Sequence, residues 1–100
     1  MLFLVICRDH PDSEDRRRDL MPQHGPHIRP LLKDFAVGGL IRQGGPTCGS
    51  AVVLQAESRE TVEATFRADP YFGPVWHTVE VYEFEPLIGS WIGKTSFDKG

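Results

Sequence analysis

This sequence has no apolar run long enough to cross a bilayer; the strand-like run Leu2 to Cys7 falls far short, so no membrane partner is expected. It is poor in cysteine as well. Cys7 and Cys48 do not form a metal-ligand spacing, and with no cleavable leader in the sequence they point to a reducing, cytoplasmic setting. Nor is there a basic excess. The net charge is -3 and the pI near 5.7, which argues against nucleic acid, whose phosphates are bound by clustered Lys and Arg. A composition typical of disorder is missing too, since 40% of the residues are hydrophobic and 25% charged. The 100 residues read as one globular domain, small enough that a partner subunit would add to its stability.

What is present alternates between strand and helix signals. Leu2 to Cys7 is a continuous apolar run and reads as a strand buried on both faces, followed by turn residues from Asp9 to Ser13. Ser13 is an N-cap candidate, with Glu14 and Asp15 in the first helical turn. Pro22, Pro26 and Pro30 predict a break or kink near His24 in the segment from Ser13 to Phe35, after which Ile28, Leu31, Leu32 and Phe35 keep helical spacing. Gly38 to Gly45 reads as turn, short strand, turn, and Ser50 to Ala56 as an antiparallel strand. Ser58 caps a second helix that packs through Val62, Phe66 and Thr65 and stops at Asp69-Pro70. Trp76 to Phe84 is the last strand.

That order predicts an α+β, ferredoxin-like βαββαβ sandwich, with two helices on one face of a four-stranded antiparallel sheet. The first and third strands are apolar at consecutive positions, so a second copy is expected to cover the other face, giving a homodimer of barrel-like form. Residues 1–86 form the domain. The tail 87–100, with Ile88, Trp91, Ile92 and Phe97, is expected to dock on the partner subunit or over the site.

His24, in Met21-Pro22-Gln23-His24, and Asp69, in Ala68-Asp69-Pro70-Tyr71, are the candidate catalytic residues. A histidine titrates near neutrality and a carboxylate can fix its tautomer. Asp69 also suits a purely structural part, because Asp before Pro ends helices and bonds turn amides. Tyr71 and Phe72 either wall an aromatic pocket or plug the end of the core. The one basic run, Arg16-Arg17-Arg18, is flanked by Glu14, Asp15 and Asp19 and reads as a solvated helix face with internal ion pairs; Arg17 is its member to test against an anionic substrate group. His24-x-x-His27 has metal-ligand spacing, but Gly25-Pro26 intervene and no third ligand is evident, so no metal is expected. His10 reads as a solvent-facing turn residue and His77 as a strand residue. Cys7 reads as core, and Cys48 as an exposed turn cysteine without an activating basic neighbour.

The stretches Met1-Leu2-Phe3, Asp9, Asp12-Ser13, Arg17, Met21-Pro22-Gln23-His24, Gly44-Gly45-Pro46 and Ala68-Asp69-Pro70-Tyr71 resemble, in order and spacing, the YCII-related family of small dimeric proteins. The resemblance implies a ferredoxin-like fold, His24 and Asp69 facing one cleft, and an enzymatic role. One branch of that family includes a chlorohydroxyhydroquinone dehydrochlorinase, and the fold is similar to that of muconolactone isomerase. This sequence departs from the family pattern in Gly25-Pro26 and in its tail.

Together these readings give an enzyme, without a cofactor, that acts on a small cyclic or aromatic metabolite by proton transfer with elimination or isomerisation. His24 is the general base or acid, Asp69 orients it, and Arg17 and Tyr71 bind substrate. The alternative is a non-catalytic metabolite-binding or regulatory dimeric domain. An RNA-binding domain of this fold would need a basic sheet with exposed aromatics, and Ala51-Val52-Val53-Leu54 offers neither.

Overall fold

The computed structural model describes residues 1–92. It orders them as β1 (Leu2–Asp9), α1 (Glu14–Ile28), a 3₁₀ turn (Arg29–Asp34), β2 (Phe35–Arg42), β3 (Thr47–Gln55), α2 (Arg59–Arg67) and β4 (Trp76–Glu83). The strands form one antiparallel sheet in the order β2-β3-β1-β4, the ferredoxin-like arrangement expected from the sequence. No helix among the described residues is long and apolar enough to cross a membrane.

β1 lies at the centre, and its side chains alternate. Phe3, Val5 and Cys7 are fully buried beneath the helices, whereas Leu2, Leu4 and Ile6 are only half-buried on the outer face. Within a single chain, therefore, β1 is covered on one face and not on both. α2 presses Val62 and Phe66 into the core, each about 1.5–3 kcal/mol of apolar burial. Its N-cap is as expected, with Ser58 Oγ accepting the Thr61 amide at 3.2 Å.

α1 packs differently. It has no fully buried residue and meets the sheet through a half-buried stripe, Arg17, Leu20, His24 and Ile28, which leaves open space beneath it. Nor does it break near His24. It runs unbroken to Ile28, and the change to 3₁₀ comes only at Arg29–Asp34. The prolines explain this, because Arg18, Pro22, Pro26 and Pro30 recur every four residues on the exposed side. Each proline forfeits one bond to the carbonyl four residues back, and on this side water can satisfy that carbonyl. Ser13 occupies the N-cap position, but its hydroxyl donates to the His10 carbonyl at 2.6 Å and does not cap the helix.

β2 starts at Phe35, opposite Leu54, so Phe35 is a strand residue and not the end of a helical stripe. Gly38 and Gly39 lie within this strand and are not a turn. β3 likewise begins earlier than expected, at Thr47, which places exposed Cys48 in a strand. Gly49 is required where β3 passes β1, because a methyl there would collide with the Cys7 carbonyl oxygen. In the tail, Ile88 and Trp91 are exposed. Phe97 and the remainder of the expected docking segment lie outside the described residues.

Candidate active site

A cavity of about 360 Å³ opens between the inner stripe of α1, the 3₁₀ turn, and strands β2 and β3. Its walls include Ile28, Phe35, Val52 and Phe66, and its polar groups come from Arg17, His24, Ser50 and Tyr71. The volume is at the small end of the roughly 300–1,000 Å³ usual for ligand pockets, enough for a single-ring molecule.

Helical geometry brings Arg17 and His24 together, since positions seven apart share a face. Asp69 arrives from the other side of the core, just beyond α2. Its side chain is fully buried, and its Oδ1 accepts the Tyr71 amide at 2.8 Å, the local turn bond expected of Asp before Pro. Both of its oxygens lie 2.8 Å from His24 Nδ1. The turn bond thus holds the carboxylate in place against the histidine. An ionised carboxylate only accepts, so Nδ1 carries a proton, and in the neutral imidazole the lone pair is then on Nε2. Among the described residues, no group is hydrogen-bonded to Nε2.

The imidazole is fixed further by aromatic rings. It stacks on Tyr71 with centroids 3.9 Å apart and planes 5° from parallel, and stands edge-on to Trp76 at 6.0 Å. Tyr71 walls the cavity and fills the end of the core at once, being 1% exposed. Its hydroxyl is committed to the Arg17 carbonyl at 2.7 Å, and burial raises its pKa, opposed by the nearby Arg17 guanidinium. Phe72 is exposed and does not line the cavity.

The basic run divides. Arg18 fits the solvated reading, pairing with Asp15 at 3.1 Å in the open. Arg17 does not, because its side chain is only 14% exposed and grips Asp9 through Nε at 2.7 Å and Nη2 at 3.1 Å. Asp9, expected in the turn after the first strand, is instead the last residue of β1, with its carboxylate buried against Arg17. The signal was available in the alternation Phe3, Val5, Cys7, Asp9, which turns a carboxylate inward at the end of an apolar strand, where it needs a cation.

The remaining titratable candidates stand apart from the cavity. His27 Nε2 donates to the Thr65 carbonyl at 3.0 Å, tying α1 to α2, and the rings of His10 and His77 lie 4.9 Å apart beyond β1. Among the described residues, no three His, Cys, Asp or Glu side chains are grouped to hold a metal. Burial pushes the Cys7 thiol up to about 12, as befits a core cysteine.

Known proteins bear on this geometry. The chain resembles in structure the 5-chloro-2-hydroxyhydroquinone dehydrochlorinase of Burkholderia phenoliruptrix AC1100, solved in complex with 2,5-dihydroxybenzoquinone. The TM-score is 0.77 and the identity 27%, over 85% of this chain and 94% of that one. A Pseudomonas aeruginosa protein of known structure aligns over 87% of this chain and 93% of its own, at 13% identity and a TM-score of 0.46. No curated protein matches the sequence. The family model for the YCII-related domain matches residues 1–85, and the chain belongs to that family.

Proposed function

We propose that this protein is a small-molecule enzyme that moves a proton on a hydroxylated ring and so drives elimination of hydrogen chloride or isomerisation, without a cofactor. The observation that carries the reading is the free Nε2 of a histidine whose Nδ1 is held by the buried Asp69, at the wall of a cavity sized for one ring. Likeness to a dehydrochlorinase solved with a ring quinone supports it.

The chemistry balances without an external oxidant. His24 takes the proton of a ring hydroxyl, and a proton returned to the chlorine-bearing carbon gives the keto tautomer. Loss of a second hydroxyl proton then expels chloride. The ring passes from quinol to quinone as chlorine leaves with the bonding pair, and the net change is loss of HCl. Arg17 faces the oxygen that becomes negative, Asp69 holds the tautomer and stabilises the imidazolium, and the ring of Tyr71 supports the imidazole from below.

Chloride release from a chlorinated hydroxyhydroquinone tests the reading. His24→Asn is expected to lower turnover by about a hundredfold or more with the circular dichroism spectrum intact. An active variant would sink the assignment. Saturable binding to the wild type with no turnover of chlorinated rings or lactones would instead favour the binding-domain alternative.

A further inference from the structure

We propose that Asp9 is a specificity-determining residue: by neutralising Arg17 it makes the cavity reject ring carboxylates and admit uncharged ring hydroxyls. The inference rests on the functional reading above and narrows its substrate class.

A lone guanidinium in an apolar-walled cavity would favour a carboxylate, the ligand best matched to its forked donors. Here the side-on fork, Nε and Nη2, is already filled by Asp9, whose side chain is 1% exposed. What Arg17 offers a ligand is its end-on donors, with their charge already balanced. The charged groups at the site sum accordingly. Asp9 and Asp69 contribute -1 each and Arg17 contributes +1, so the total is -1 with neutral His24 and zero with His24 protonated. In neither state is the site positive.

A carboxylate entering this site gives up its hydration beside apolar walls such as Phe35, Val52 and Phe66, and finds no uncompensated positive charge in return. A ring hydroxyl enters neutral. When its proton passes to His24 Nε2, the oxyanion and the imidazolium appear together, and the net charge of the occupied cavity does not change. Arg17 end-on donors then stabilise the oxygen only as it becomes negative, where stabilisation accelerates the reaction. The ring of Tyr71, 5.3 Å below the guanidinium carbon, helps to hold that group in position.

Benzoate and benzamide match in shape and differ in charge, so calorimetric titration of both, alongside hydroquinone, reads the effect directly at neutral pH. Wild-type protein is expected to bind benzamide and hydroquinone about tenfold or more tightly than benzoate. In Asp9→Asn, which keeps an acceptor for Arg17 but not the charge, the benzamide-to-benzoate preference should shrink about tenfold or invert. Benzoate binding the wild type as well as benzamide overturns the proposal, as does a folded Asp9→Asn with an unmoved ratio. Should that variant not fold, the wild-type ratio decides alone. Failure of all three rings to bind the wild type overturns the functional reading itself, and this inference with it; binding with turnover but no charge discrimination overturns only the assignment of Asp9.

Discussion

Asp69→Asn should abolish the free lone pair on His24 Nε2 while leaving the local turn intact. Both carboxylate oxygens sit 2.8 Å from His24 Nδ1, and Oδ1 also accepts the Tyr71 amide at 2.8 Å. In the variant, the amide oxygen keeps the Tyr71 bond, because turning it away would strand a buried N–H. The amide nitrogen then faces Nδ1 as a donor, and the imidazole must accept there and carry its proton on Nε2. The base is lost by tautomer exchange, without a change of shape. General acid–base catalysis typically contributes about a hundred- to ten-thousandfold, so misplacing the base in this way should slow turnover by about a hundredfold or more. Two-bond nitrogen–proton NMR spectra report the tautomer directly, with Nδ1–H expected in the wild type and Nε2–H in the variant. Turnover within threefold of wild type, or an unchanged tautomer in the folded variant, would refute the reasoning.

Two further predictions concern the core and the open sheet face. Burial lifts the Cys7 thiol from its ordinary 9.0 to about 12, so in native protein at pH 8 iodoacetamide should modify Cys48 alone, giving one adduct by mass spectrometry and two after denaturation. Because the folded pKa is the higher one, the associated stability is complete below pH 9.0 and is lost between 9.0 and about 12 as the unfolded chain ionises. The urea midpoint should therefore fall across that range, less steeply in Cys7→Ala, and equal slopes would contradict this. On the outer face, Leu4 and Val37 both pair with Val53, and Ile6 with Ala51, while Arg8, Glu80 and Tyr82 form a polar cluster at one end. A second copy covering this face would make the protein a dimer by light scattering, and Val53→Asp a monomer, since burying a lone charge typically costs at least about 2 kcal/mol. A wild-type monomer at micromolar concentration would exclude that arrangement.

The parts of the fold legible in the sequence are those where one face must be apolar. The unbroken apolar run Leu2 to Cys7 announces β1, although not which of its faces is covered, and Val62 and Phe66 announce α2 by their helical spacing. The parts that escaped are those where burial makes no such demand. β2 is an edge strand, exposed at Ala36 to Leu40, so Gly38-Gly39 could be mistaken for a turn and Phe35 assigned to the preceding helical stripe. The prolines of α1 misled for a related reason. Proline is costly where the carbonyl it orphans is buried, and only the four-residue recurrence through Pro22, Pro26 and Pro30 tells that these carbonyls face water.

The site shows a different limit. Residue type and resemblance singled out His24, Asp69, Tyr71 and Arg17, and all but Asp69 line the cavity, with Asp69 bonded behind His24. What they could not give was the charge of the cavity, because charge belongs to pairs and not to residues. Read alone, Arg17 announces an anion site; read with Asp9, eight residues before it across a turn, it is a cation already paired with a carboxylate. The same holds for His24, whose basic nitrogen is defined by the buried carboxylate on its far side. The substrate charge proposed above rests on these two pairings, and each joins α1 to a carboxylate that the sequence places outside that helix.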